Sequence, residues 1–184
     1  TLLMIDKVVE KNKHKWGDIK IVYRPHPWRQ NNCKVQSSYG TNVLTDPQIL
    51  ALNNDKSMKA QPELEYYSGL LNNAEYVMGG LTSMLIEGLI FRKRFLAFVH
   101  DDSRYITNMR NALRHFEHFK GLENLESMSF SYDESDVEEK MLECWSKSKS
   151  MNFKEIDQER SWYLFEDGQR YNTRLLSYVD NILN

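Results

Sequence analysis

Apolar side chains along this chain recur in two periods that alternate from one end to the other. Leu2, Leu3, Ile5, Val8 and Val9 repeat at helical steps and predict a helix over Leu2 to Lys13 with one buried face. Trp16-Gly17-Asp18 reads as a turn, and Ile19, Ile21 and Val22 as a short buried strand. That strand stops at Arg24-Pro25-His26-Pro27, where two prolines remove backbone donors and forbid a helix. Asn31 to Gln61 is polar and irregular, with a weaker strand at Thr41 to Leu44. Glu63 to Asn73 predicts a helix that feeds a strand at Tyr76, Val77 and Met78, and a helix follows from Met84 to Phe91. Phe95 to Val99 is a continuous apolar strand, Asn108 to Phe119 a helix and Leu125 to Phe130 the last strand. Helices over Val137 to Lys147 and Arg170 to Leu183 close the chain. Parallel strands need a crossover, and a helical crossover lies on the face of the sheet, so this alternation predicts an α/β, Rossmann-like parallel sheet flanked by helices on both faces.

Composition narrows the class without naming a function. The 184 residues fit one domain, residues 1–184, with a hydrophobic fraction of 41% against 27% charged, ordinary for a soluble globular chain. With 24 Lys and Arg against 26 Asp and Glu the net charge is −2, so no global field attracts nucleic acid or an anionic membrane; any basic surface is local, as at Arg92, Lys93 and Arg94. Cys33 and Cys144 are far apart and lack metal-ligand spacing, which argues for free thiols in a reducing compartment. No stretch approaches the apolar length that spans a bilayer and no signal-peptide pattern is present, so the expected location is cytoplasmic. The chain opens on Thr1 directly into a helical pattern, the expected look of a fragment of a longer protein.

Two segments carry candidate chemistry. In the first, Arg24 and His26 stand at the carboxyl end of a strand, where ligands bind in open parallel sheets. In the second, AEYVMGGLTSMLIEG, a strand runs into Gly79 and Gly80, with Thr82 or Ser83 available to cap the next helix. Exposed N–H groups and the helix dipole there favour a phosphate. Glu87 lies one turn beyond Ser83 on the same helical face, placed to accept hydrogen bonds from sugar hydroxyls. Each residue also has a plainer reading. Arg24 can pair with a carboxylate, the glycines can serve close packing, Thr82 and Ser83 can be caps only, and Glu87 can hold a structural salt bridge. His100-Asp101-Asp102 reads as a solvated loop, and His115 and His118 as surface residues without a third metal ligand. A Gly-x-Gly-x-x-Gly fingerprint and a Gly-x4-Gly-Lys-Ser/Thr loop are both absent, which argues against a dehydrogenase and an NTPase.

In order and spacing, His26-Pro27, Thr82-Ser83 and Glu87 resemble the C-terminal donor-binding domain of GT-B type bacterial glycosyltransferases. The likeness is to capsule, lipopolysaccharide and teichoic-acid enzymes, including the CDP-glycerol glycerophosphotransferase and bacterial sialyltransferase groups. Asp167-Gly168, Arg174 and the apolar run RLLSYVDNIL resemble the closing segment of such domains. The resemblance implies half of a GT-B fold that binds a nucleotide-sugar or nucleotide-alditol donor. Together with Arg24, read from its place at the strand end, the expected donor-binding residues are His26, Gly79, Gly80, Thr82, Ser83 and Glu87, with His26 also catalytic. The resemblance implies no metal and no cofactor beyond the activated donor itself. It also implies an N-terminal acceptor-binding partner domain, and contact with the inner membrane face only through the full-length protein. Two alternatives stand beside it: a nucleotide-sugar 2-epimerase-like domain, and a Rossmann-like binding or regulatory module without chemistry.

Overall fold

The computed structural model describes residues 1–25, 35–54, 63–101 and 108–163, together with Thr173, Leu176, Ser177 and Val179. In chain order these residues form α1 (Leu2–Trp16), β1 (Ile21–Tyr23), β2 (Val43–Thr45), α2 (Pro47–Asn54), α3 (Leu64–Asn73), β3 (Tyr76–Gly79), α4 (Met84–Ile90), β4 (Arg94–Phe98), α5 (Met109–His115), β5 (Met128–Ser131), α6 (Val137–Lys149) and α7 (Phe153–Tyr163). Among the described residues the strands β1 to β5 all pair in parallel, so the fold is α/β with helices on both faces, as the alternating pattern predicts. The five strands divide into a two-stranded sheet, β1-β2, and a three-stranded sheet, β3-β4-β5.

Strand β4 is the centre of the packing. Its side chains alternate between two apolar layers, and both are buried. Phe95 and Ala97 join Leu81, Leu85, Ala112, Leu113 and Met128 beneath α4 and α5. Leu96, with Phe98 packed against it, meets Val9, Trp16, Val137, Met141 and Cys144 beneath α1 and α6. The second layer also takes in Ile21 and Val43, so α1 and α6 cover both sheets with one continuous core. Leu96 has no exposed surface, and truncating it to alanine would cost about 2–5 kcal/mol.

Helix α1 extends one turn beyond the predicted Lys13. Trp16 is buried and packs on Trp145 of α6 at 5.5 Å between ring centroids, so tertiary contact carries the helix through a residue that sequence alone places in a turn. Gly17 then ends it at φ 74°, with its N–H donating to the Lys13 carbonyl, a conformation in which glycine carries no Cβ penalty. The predicted helix Asn108 to Phe119 stops at His115 and is followed by a 3-10 turn at Glu117–Phe119, while the last strand starts at Met128 rather than Leu125. The polar stretch 31–61 contains β2 and all of α2. The predicted closing helix, Arg170 to Leu183, lies mostly outside the described residues. Cys144 is a free, buried thiol, and burial pushes its pKa up to about 12.

Candidate functional site

Arg24 leaves the carboxyl end of β1, and Asp46 leaves the carboxyl end of the neighbouring β2. The two side chains form an ion pair in which Asp46 is wholly buried and Arg24 is 21% exposed. Asp46 also caps α2: its Oδ1 accepts the Gln48 N–H at 2.8 Å and the Ile49 N–H at 3.3 Å, ahead of a proline in the first helical position. Its backbone N–H donates to the Tyr23 carbonyl. One carboxylate thus fastens β1, β2 and α2 together.

The guanidinium of Arg24 lies over the ring of Tyr67 on α3, 4.4 Å from its centroid, a cation–π contact. The Tyr67 hydroxyl donates to Oε2 of Glu87 and sits 2.8 Å from Sδ of Met84. Burial first, then the Glu87 carboxylate, holds the Tyr67 phenol well above the ordinary tyrosine range, so it is a hydrogen-bond donor at any physiological pH. Burial and then the Asp46 carboxylate likewise raise the neighbouring Tyr66. Arg24 and Glu87, distant in sequence, therefore meet through one tyrosine.

Each expected site residue has a definite place except one. His26, with Pro27, lies outside the described residues. Thr82 and Ser83 are exposed in the loop that leaves the carboxyl end of β3. Ser83 occupies the N-cap position of α4 without a capping side-chain bond, and the Thr82 hydroxyl accepts the Met84 N–H at 3.3 Å instead. Neither Gly79 nor Gly80 has a positive φ. A Cβ at Gly79 would stand 3.7 Å from the Phe95 ring, and one at Gly80 would stand 3.6 Å from Met109 Cε, both ordinary contacts. Backbone geometry does not demand glycine there; a ligand approaching the loop closely would. Glu87 is half-buried, and its partner is a tyrosine hydroxyl rather than a cation. Arg24 takes the plainer of its two readings in part, since it does pair with a carboxylate, but a buried one at the strand ends.

Two further groups border this region. At the carboxyl ends of β4 and β5, Nε2 of His100 lies 2.8 Å from the buried Ser131 hydroxyl, which stands 2.5 Å from Asp136 Oδ1. Serine has one proton and the carboxylate has none, so Ser131 donates to Asp136 and His100 donates from Nε2. Asp136 also accepts the Tyr132 N–H at 2.9 Å, so the cluster ties the two strand ends together rather than presenting a nucleophile. Beside α4, a cavity of about 380 Å³ is lined by Thr82, Ser83, Ile86, Leu89, Phe119 and Tyr163, among others. His118 is exposed and borders the same cavity, packed against the Phe119 ring at 4.1 Å.

No family model matches this chain, and no curated protein and no solved structure is significantly similar to it. Among the described residues no helix is long and apolar enough to cross a membrane.

Tyr67 is the residue that sequence reasoning missed. A tyrosine in the first turn of a helix has no spacing relation to either segment, so no motif marks it. A weaker signal was available at Asp46-Pro47, a helix cap followed by proline in the first helical position.

Proposed function

We propose that this chain is the nucleotide-donor-binding domain of a glycosyltransferase of bacterial surface polysaccharide synthesis, taking a nucleotide-sugar or nucleotide-alditol. The observation that carries the reading is the Arg24–Tyr67–Glu87 network. It brings the carboxyl end of β1 against the first turn of the helix that follows β3, on a parallel α/β scaffold of the kind that binds ligands at such ends.

In this reading the donor's diphosphate lies between the end of β1 and the Thr82-Ser83 loop, and its ribose hydroxyls face Glu87. Transfer breaks the bond between the phosphate and the transferred group, and charge grows on the leaving nucleotide. Donors fixed in place beforehand stabilise that charge. Arg24 supplies only part of it, because Asp46 already neutralises the guanidinium. His26 and the loop N–H groups are the remaining donors, which makes His26 the residue most sensitive to the diphosphate. The acceptor and its base belong to a partner domain.

A second reading, a nucleotide-binding or regulatory module without chemistry, draws on the fact that Arg24 and Glu87 both satisfy partners inside the chain. Chemical-shift titration of the chain with UDP, CDP and their nucleosides tests the binding common to both. Saturable binding that is tighter for the diphosphate is expected. His26→Ala should raise the diphosphate Kd about 10- to 100-fold, the worth of one charge-assisted contact, while leaving the nucleoside nearly unchanged. Glu87→Ala should weaken both ligands alike. Absence of saturable binding to any nucleotide in the folded chain refutes the reading. Donor turnover by the full-length protein separates the transferase from the module.

A further inference from the structure

We infer that Tyr67 is the positioning residue that couples the diphosphate side of the site to its ribose side; this rests on the donor-binding reading above. Its ring face carries the Arg24 guanidinium at 4.4 Å, while its hydroxyl holds Oε2 of Glu87. The phenol has one proton to give, and the carboxylate is a far better acceptor than the Met84 thioether, so the bond to Glu87 takes it. Glu87 is thereby oriented but not used up. A carboxylate has about four lone-pair sites, and Tyr67 occupies one. The guanidinium has five N–H donors in a fixed fork, and the Tyr67 ring takes its face while Asp46 takes one edge. Both side chains are held on one side with hydrogen-bonding capacity left on the other.

The two contacts of Tyr67 are chemically separable. Tyr67→Phe removes the hydroxyl and keeps the ring under Arg24. Tyr67→Leu removes both. Loss of the hydroxyl frees Glu87 to rotate and leaves Arg24 in place, so it should act on the ribose alone. Loss of the ring should act on the diphosphate as well.

The test is chemical-shift titration of the chain with UDP and CDP and, separately, uridine and cytidine, with thermal unfolding of each variant as the folding control. Tyr67→Phe should weaken nucleoside and diphosphate by the same factor, about 5- to 10-fold, and leave their affinity ratio unchanged. Tyr67→Leu should also lower that ratio. In a double-mutant cycle, Tyr67→Phe should add nothing to Glu87→Ala, because the hydroxyl acts only through that carboxylate. A merely structural tyrosine would move the unfolding temperature but not the ratio or the cycle. If the wild-type chain binds diphosphate and Tyr67→Phe binds both ligands as well as wild type, or if its effect adds fully to that of Glu87→Ala, Tyr67 is a packing residue and the donor-binding reading survives. If the wild-type chain binds no nucleotide, both fall together. Should Tyr67→Leu fail to fold, Tyr67→Phe and the cycle decide alone.

Discussion

Replacing Asp46 with asparagine separates two tasks that one buried carboxylate performs. Asparagine caps a helix about as well as aspartate, so Asp46→Asn keeps the bonds to the Gln48 and Ile49 N–H groups and removes only the charge opposite Arg24. Breaking a buried ion pair by deleting one partner typically costs about 3–5 kcal/mol, because the other charge is left uncompensated. Arg24 is 21% exposed and also rests on Tyr67, so it can recover some hydration. The expected loss is therefore smaller, about 2–3 kcal/mol. Asp46→Ala removes the cap as well and should cost about 1 kcal/mol more. For a chain of this size each kcal/mol lowers Tm by about 2–4 °C, so Asp46→Asn should unfold about 4–12 °C early. Urea titration followed by circular dichroism at pH 7 measures both variants, with the m-value as a check that only stability has changed. Adding Arg24→Met to Asp46→Asn should return part of the loss, since it removes the stranded charge. Stability within about 0.5 kcal/mol of wild type for Asp46→Asn, or equal stability for the asparagine and alanine variants, would refute the two-task account.

Gly40 and Gly80 should respond in opposite ways to alanine. At Gly40 the backbone has φ 107° and a Cβ would overlap the Asp6 carboxylate, so Gly40→Ala should cost well over 1 kcal/mol by urea titration, whereas Gly80→Ala should be close to neutral. Ser129 faces α6 with a buried hydroxyl that has no hydrogen-bond partner among the described residues; Ser129→Ala should leave the chain equally or slightly more stable by calorimetry. On α6, hydrogen bonds from Lys147 and then Lys140 hold the Glu143 carboxyl below its ordinary value of 4.5. A carboxylate with a lowered folded pKa adds stability above its unfolded pKa and loses it as the pH falls through the folded one. Glu143→Gln should therefore cost less than about 1 kcal/mol at pH 7, less still at high salt, and nothing once the pH is below the lowered value. A loss that is constant across that range would show that packing, not charge, is responsible.

The alternation of apolar periods made most of the architecture legible. Tyr76 to Met78, Phe95 to Val99 and Val137 to Lys147 all fall on observed elements, because each is a strongly patterned run with turn residues on both sides. What escaped was structure held by capping and tertiary contact rather than by periodicity. Helix α2 hid in a polar stretch although Asp46-Pro47 marks its start. Helix α7 begins after Asn152, whose Oδ1 accepts the Lys154 N–H at 3.1 Å and whose side-chain amide donates to Glu155, so a polar side chain caps the helix start. At the site, Arg24, Thr82, Ser83 and Glu87 were legible as residue types at strand and helix ends. Their partners Asp46 and Tyr67 were not, since which residues meet across a fold depends on how the elements pack and not on any spacing along the chain.

The division of the five strands into sheets of two and three has a kinetic consequence. Strand β4 has ladder partners on both edges, so its amides should exchange with solvent only when the whole core opens. Strands β1 and β2 pair over three residues and join the larger sheet through side chains packed under α1 and α6. That short parallel pair should open at lower free energy than β4, and it carries Arg24 on one half of the candidate site while Glu87 rides on the other half. A molecule gripping both would act as a staple, and its footprint in hydrogen exchange would fall chiefly on the amides of β1 and β2 rather than on the residues nearest the helix of Glu87.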